Sequence, residues 1–246
     1  MTLLLLTALL IAGGHASAPR LMAGDAEFAR LEYSRAGEKY DSARTHSPDS
    51  AQYFWRLARL HVCMGDVADR DRKEETYRAA VAYAERCIRA DSMIAAGHTW
   101  KAAALGNIAM FEGSKGKVRL CNEIKHELNV ALALDSLDDV AYSIMGSFYL
   151  ALGKVNWIER QLASVFLGSL PEGGFEEAEA ALRKAVSIAP GMVRHRFELA
   201  MVLKEEGKRE DAIRTFRAAA ALPTTVASDT RTQERAAAMA RKLEED

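Results

Sequence analysis

The sequence predicts an all-α protein built from repeated helical hairpins, and three observations support this fold class. First, the 246 residues include only five prolines and sixteen glycines, so few helices are interrupted, and alanine is frequent throughout. Second, apolar residues recur at helical spacing, and no alternating pattern competes that would indicate strands. Third, five segments of similar sequence recur along the chain, which indicates an internal repeat.

The five recurring segments resemble the close of one and the same helix. They are SARTHSP (42–48), ERCIRADS (85–92), NVALALDS (129–136), RKAVSIAP (183–190) and FRAAAALP (216–223). Aligned on their central small residues, they are separated by 44, 44, 54 and 34 residues. A spacing of 34 residues is the period of the tetratricopeptide repeat, a helix–turn–helix unit, and the longer spacings exceed it by ten or twenty. We therefore expect a tetratricopeptide-like solenoid of about four and a half units with insertions.

The two C-terminal units show the repeat pattern most clearly. In the last unit, Gly207 marks the turn between helices and Phe216 is the large residue of the second helix. In the unit before it, Gly146 belongs to a W-x2-L-G-x2-Y-like first helix, while Leu182 belongs to the second helix. Small residues allow close helix approach and large ones fill the groove so formed, which is how these hairpins pack.

The ends of the repeat are also recognisable. Residues 24–46 supply a partial unit, and residues 228–246 are typical of a polar capping helix that closes a solenoid. The charged run DRDRKEE at 69–75 lies within the first insertion, where we expect a solvated loop or the start of a helix.

The segment NWIERQLASVFLGSLPEGG at 156–174 interrupts the third full unit. Ile158, Leu162, Val165 and Phe166 lie on one face of a helix, so we expect an inserted helix over 157–167. The glycines and the proline that follow should turn the chain so that the second helix starts near Phe175. The inserted helix either fills out the scaffold or forms one lip of a binding groove.

The N-terminus is typical of a signal peptide. An apolar run from Leu3 to Gly14 is too short to span a bilayer and is followed by small residues. We expect residues 1–18 to be the signal segment, with cleavage removing the first 16 to 18 residues, and residues 19–246 to form the solenoid domain. This predicts an exported protein, periplasmic or secreted; without a signal function the chain would be cytoplasmic.

The composition argues against several classes of chemistry. Thirty-three basic residues against thirty-four acidic ones leave a net charge of −1, which disfavours nucleic-acid binding. The six histidines are scattered, and no metal, phosphate-loop or nucleophile motif is present, so we expect no metal, no cofactor and no enzymatic activity. The three cysteines are odd in number and are expected to be buried apolar residues, although Cys63 and Cys87 could pair in an exported protein.

Several stretches resemble the regulator of microtubule dynamics family, whose members carry a divergent tetratricopeptide-like domain. They are WRLAR (55–59), FEGSKGKVRLCNEIKHEL (111–128), ALALDSLDDVA (131–141), WIERQLASVFLGSLP (157–171) and FEEAEAALRKAVSIAPG (175–191). The insertions are the specific part, because any tetratricopeptide protein would share the alanines but not WIER or EGSKGK at these places. The resemblance implies a helical scaffold that binds protein partners and, for eukaryotic members, association with microtubules.

A solenoid of this kind offers its concave face, lined by the first helices of the units, as the surface for another protein or peptide. Carrying the repeat register along the chain, we expect that face to include Trp55, Arg59, Thr99, Ala103, Asn107, Ser143, Ser147, Arg194, Phe197, Met201 and Lys204, with Trp157 on the inserted helix. Some of these residues would instead pack between repeats. The alternative function is binding of a small or lipid-like ligand in a groove closed by the 157–167 helix.

Overall fold

The structure is a computed structural model that describes residues 18–44, 50–156, 163 and 169–245. Within these residues the chain is helical, with turns between the helices and no strand. In chain order the helices are α1 (18–29), α2 (Tyr33–Arg44), α3 (Ala51–Val67), α4 (Arg70–Ala90), α5 (Ala95–Ile108), α6 (Ser114–Leu134), α7 (Asp139–Gly153), α8 (Phe175–Ile188), α9 (Val193–Glu205), α10 (Arg209–Ala220) and α11 (Asp229–Glu245). The prediction of an all-α fold is therefore confirmed.

The helices follow one another as successive pairs, each made of a first helix and a second helix. The pairs are α1–α2, α3–α4, α5–α6, α7–α8 and α9–α10, and α11 follows the last pair. The partial unit predicted at 24–46 is longer than expected, because its first helix is already present at residue 18. By internal contacts the chain divides into two compact units, residues 1–101 and 102–246, which are described separately below.

Close approach of paired helices explains two of the glycines. In the first compact unit, a Cβ atom on Gly24 of α1 would overlap the ring of Tyr40 on α2. In the second, a Cβ atom on Gly146 of α7 would come within 2.8 Å of the Leu182 Cδ1 atom on α8. Tyr40 and Leu182 are both fully buried and occupy the same repeat position, three residues before the aligned alanines. The interlocking of small and large residues predicted from the sequence is therefore present in both units.

The two ten-residue insertions of the first full units lengthen helices instead of forming loops. The second helices α4 and α6 each contain 21 residues, whereas α8 and α10 contain 14 and 12. The charged run at 69–75 is the beginning of α4, which confirms the helix-start alternative. Lys73 in its first turns donates to the backbone oxygens of Gly65 at 2.8 Å and Asp66 at 3.0 Å. A cation at these last carbonyl groups stabilises the end of α3.

The second helix of the interrupted pair starts where the sequence places it. Helix α8 begins at Phe175, and the backbone N–H of Gly174 donates to the Glu177 carboxylate at 2.8 Å. Gly173 has a φ of +123°, a conformation that favours glycine, so the chain can reverse here. The predicted inserted helix at 157–167 lies outside the described residues except for Ala163, which is helical and buried.

The core of the second compact unit lies between α7, α8, α9, α10 and α11. Leu182, Leu203 and Phe216 are at most 2% exposed, and the Phe216 ring lies 5.7 Å from that of Phe197, centroid to centroid. Burying each such side chain contributes about 1.5–3 kcal/mol to folding. Packing of successive pairs against one another therefore supplies a continuous core within this unit. None of the described helices is both long and apolar enough to cross a membrane.

Candidate functional site

The first helices of the second compact unit pack side by side. At their beginnings, His195 Nε2 of α9 lies 2.8 Å from a carboxylate oxygen of Asp139 on α7. At their ends, Lys154 next to α7 lies 3.3 Å from the Glu205 carboxylate of α9. Because the beginnings of α7 and α9 contact each other and their ends do so too, the two helices run parallel. The guanidinium of Arg235 on α11 lies over the Phe197 ring of α9 at 4.8 Å, so α11 extends the row.

The row α7–α9–α11 therefore presents one surface built from two first helices and the helix that follows the last pair. Of the residues predicted to line it, Ser147, Met201 and Lys204 are half-buried and Arg194 is exposed. Two others are buried, Ser143 at 2% exposure and Phe197 at 3%. The Phe197 side chain is covered by Phe216 and Arg235, so it packs between helices and is not open to a partner.

The accessible part of this row carries positive charge at one end. Lys204 Nζ lies 3.0 Å from the Glu205 carboxylate, which also faces Lys154. The hydrogen bond from Lys204 lowers the pKa of Glu205, and Lys154 adds to this effect while burial opposes it. Lys154 and Lys204 therefore flank the one ionised carboxylate of Glu205 where α7 and α9 end.

In the first compact unit, α3 is held to α1 through charged side chains. Asp25 of α1 accepts hydrogen bonds from Arg56 at 2.9 Å and Arg59 at 2.7 Å, and also from the Tyr40 hydroxyl at 2.8 Å. The Arg59 guanidinium lies 4.0 Å from the centroid of the Phe28 ring. Arg59 was predicted to face a partner, but its contacts here are internal and hold the two helices together.

The other predicted residues of the first unit and of α5 differ in accessibility. Trp55 is half-buried, and its indole N–H donates to the Gln52 side chain at 2.9 Å. Thr99 is 1% exposed, and its hydroxyl donates to the Ala95 carbonyl at 3.2 Å, so it is a packing residue. Asn107 is half-buried. Trp157 lies outside the described residues.

Sequence reasoning missed the polar contacts that assemble these surfaces. Asp25, Asp139 and His195 were not singled out as partners, although each joins two first helices. Asp139 and His195 are 56 residues apart, and no local spacing in a single sequence connects them. The burial of His195 and its pairing with Asp139 became visible only in the folded chain.

The titratable groups of the described residues offer little for chemistry. No cluster of histidine, cysteine and carboxylate side chains that could hold a metal ion is found among them. Cys63 and Cys87 are buried and not joined in a disulfide, and burial raises the pKa of the Cys87 thiol to about 11. Burial also raises the pKa of the half-buried Cys121. Thiols of raised pKa carry little thiolate at neutral pH, which makes them weak nucleophiles.

A described cavity of about 310 Å³ lies between α10 and α11. Its walls are alanines, and its rim carries Arg217, Arg241 and Glu244. Arg217 and Glu244 form an ion pair at 2.8 Å. The lining of this cavity is therefore more apolar than polar.

Comparison with known proteins identifies the family. The family model for regulator of microtubule dynamics proteins 1–3 matches residues 21–244. The chain belongs to this family. It is 25% identical over 209 residues to regulator of microtubule dynamics protein 2 from Homo sapiens, which covers 83% of this chain and 51% of the human protein. It is 26% identical over 144 residues to regulator of microtubule dynamics protein 1 from Bos taurus, which covers 58% of this chain and 45% of the bovine protein. The chain therefore spans about half the length of these curated relatives.

Solved structures agree on the fold of this regulator of microtubule dynamics family member. A thermophilic TPR protein from Thermus thermophilus superimposes with a TM-score of 0.65 at 15% identity, over 93% of this chain and 98% of that protein. PilF from Pseudomonas aeruginosa superimposes with a TM-score of 0.57 at 15% identity, over 94% and 88% of the two chains. These structures confirm the tetratricopeptide-like fold predicted from the 34-residue spacing.

Proposed function

We propose that this chain is a non-enzymatic scaffold that binds a segment of another protein along its first helices. The observation that carries the proposal is the parallel packing of α7 and α9, joined by Asp139 and His195 at one end and by Lys154 and Glu205 at the other. A row of parallel helices forms an extended surface on which a peptide segment can contact several repeats at once. Family membership and the tetratricopeptide-like fold support the same class of function.

The accessible residues of the row indicate the chemistry of the segment. Met201 offers a flexible apolar contact, Ser147 a hydroxyl group, and Lys204 an ammonium group beside Lys154. An extended segment with an apolar side chain followed by a carboxylate would complement these groups. Of the residues predicted from the sequence, Ser143 and Phe197 serve this surface by packing beneath it.

A library of random peptides displayed on phage provides the probe for this proposal. Peptides selected by the purified chain should carry an excess of acidic residues, and Lys204→Glu should weaken their binding at least tenfold. Lys184→Glu is the matched control, because Lys184 is an exposed lysine on the second helix α8. Equal loss in both variants, or selection of no peptide at all, would refute binding along this row.

The family assignment suggests a specific protein as the partner to be tested. The curated relatives are named as regulators of microtubule dynamics, so polymerised tubulin is the specific protein to test. Because this chain matches about half of those proteins, co-sedimentation of the purified chain with microtubules asks whether the shared part binds by itself. Binding that Lys204→Glu reduces and Lys184→Glu does not would assign the contact to the α7–α9 row. Absence of the chain from the microtubule pellet would exclude polymerised tubulin as its partner. The peptide selection would then still test whether the row binds a segment of another protein.

A further inference from the structure

The turn between α5 and α6 exposes two neighbouring large apolar side chains. Met110 is 80% exposed and Phe111 is 40% exposed, the former being the most exposed of the large apolar side chains that the structure describes. The turn itself is ordered by its backbone, since the N–H groups of Met110 and Phe111 donate to the carbonyls of Asn107 at 3.2 Å and Ile108 at 2.9 Å. Both side chains therefore project from a defined backbone conformation and are not part of a core.

Basic side chains follow directly on the first turns of α6. Lys115, Lys117 and Arg119 are all exposed, and within the described part of the chain none of them forms an ion pair. Lys115 and Arg119 are four residues apart and share one face of the helix, while Lys117 lies on the other side of the same turn. The carboxylate of Glu112 packs beside Gly116, so one acidic group accompanies three cations. The segment 110–119 thus combines an apolar tip with a local excess of positive charge.

We propose that this segment is a contact site for an anionic membrane surface. Met110 and Phe111 would enter the boundary between headgroups and acyl chains, Lys115 and Arg119 would face the lipid phosphates, and Lys117 would add to the local positive charge. Apolar side chains beside a cluster of cations are the combination that binds reversibly to charged bilayers.

The size of the patch favours a bilayer over a protein partner. A stable protein–protein interface buries about 1,200–2,000 Å² in total, far more than two side chains at the tip of a turn can supply. Binding to a charged bilayer needs no complementary pocket, and each basic residue near an anionic surface strengthens it about fivefold. Two apolar side chains and three cations are therefore sufficient for reversible membrane binding.

A matched control for the apolar tip is present in the same compact unit. Leu137 lies in the turn between α6 and α7. Its exposed fraction is 63%, which is lower than that of Met110 and higher than that of Phe111. Its surroundings are acidic, with Asp135 accepting a hydrogen bond from the Leu137 backbone N–H at 2.9 Å and with Asp138 and Asp139 following. An anionic surface should repel this turn while attracting the turn at 110–119.

The test is sedimentation of the purified chain with vesicles of phosphatidylcholine, either pure or mixed with phosphatidylglycerol. We expect binding only to the anionic vesicles, with binding falling as salt is raised because the attraction is screened. Met110→Ser combined with Phe111→Ser should weaken binding at least tenfold. Lys115→Gln combined with Arg119→Gln should weaken it about 30-fold. Leu137→Ser should leave it unchanged.

A second measurement reports insertion directly. The emission of Phe111→Trp should shift to shorter wavelength on adding anionic vesicles, relative to the unmodified chain, because the new indole enters an apolar environment. Absence of binding to anionic vesicles would overturn the proposal, as would equal effects of Leu137→Ser and the Met110/Phe111 double variant. Binding to an acidic protein surface in place of the bilayer would give no vesicle sedimentation and would equally overturn it. All replaced side chains are exposed, so circular dichroism should show an unchanged fold in every variant.

Discussion

The buried imidazole of His195 and the carboxylate of Asp139, 2.8 Å apart, join the beginnings of α9 and α7. His195 is 2% exposed, and its second nitrogen, Nδ1, has no hydrogen-bond partner within the described residues. Within the described residues, the contact with Asp139 is therefore the hydrogen bond that this buried ring makes. It also sets how two successive repeats meet on the proposed binding surface.

Replacing Asp139 by Ala should lower the free energy of unfolding by about 1–3 kcal/mol, since a buried polar ring is left without its acceptor. Urea denaturation measures this change. Asp211→Ala is the control, because Asp211 also lies in the first turn of a helix but pairs with the exposed Arg214. Exposed pairs contribute about 1 kcal/mol or less, so the control should change little. Equal losses in both variants would contradict the role assigned to His195.

Replacing Gly146 by Ala should destabilise the protein, although alanine is normally the better helix former. The added methyl group would overlap Leu182, which is fully buried and cannot move away freely. We expect a cost of about 1–3 kcal/mol from this overpacking. At Gly106 on α5 the added methyl group would have no neighbouring atom within 4 Å. Gly106→Ala should therefore stabilise the protein by about 0.5–1 kcal/mol. Thermal unfolding should therefore show the unfolding temperatures of the two variants shifted in opposite directions. Shifts in the same direction would contradict the close contact between Gly146 and Leu182.

Stability should fall as the solution becomes strongly alkaline, with Tyr40 contributing to the loss. Burial raises the pKa of Tyr40 from 10.0 to about 12, and the hydrogen bond to Asp25 adds to this while the charge of Arg59 opposes it. Below pH 10 the phenol is protonated in both the folded and the unfolded chain. Between pH 10 and 12 the unfolded chain ionises first, so Tyr40 lowers the free energy of unfolding by about 1.4 kcal/mol per pH unit.

Tyr40→Phe removes that titration. Its free energy of unfolding, measured by denaturant titration at several pH values, should fall less steeply than that of the unmodified chain over this range. Loss of the hydrogen bond to Asp25 should cost about 1 kcal/mol at neutral pH, which the same titrations measure. Parallel pH profiles for the two proteins would show that Tyr40 does not titrate as proposed.

Replacing Phe197 by Ala should cost about 3–5 kcal/mol, the usual range for truncating a buried aromatic side chain. Phe197 contacts Phe216 and Arg235, so the loss reports packing between α9, α10 and α11. Arg194→Ala on the same helix is exposed and should stay within about 0.5 kcal/mol of the unmodified chain. A small effect of Phe197→Ala would instead indicate an accessible binding residue, as the repeat register had suggested.

The predicted export also remains open to a direct measurement. Mass spectrometry of the protein isolated from its native host should find the first 16 to 18 residues removed, because an apolar run followed by small residues is typical of a cleaved signal. An intact N-terminus on cytoplasmic protein would show that the segment is not a signal peptide.

The amino-acid sequence by itself determined the elements of the fold. Helical spacing, the recurring segment ends and the 34-residue period predicted the succession of hairpins, and the glycines and proline before Phe175 placed the start of α8 near that residue. These features depend on residues close together in the chain, whose backbone preferences and caps act locally. Gly146 and Leu182 were likewise recognisable because the repeat places small and large residues at fixed positions.

Only the tertiary structure decided which of the predicted surface residues are accessible. Ser143, Phe197 and Thr99 occupy first-helix positions that the repeat register assigns to the binding face, yet all three are buried. Whether such a side chain is accessible depends on the sizes of the side chains on neighbouring helices. The repeat period carries no information about those sizes. The pairing of His195 with Asp139 across 56 residues was decided in the same way, since contact between polar groups distant in sequence exists only after the helices have packed.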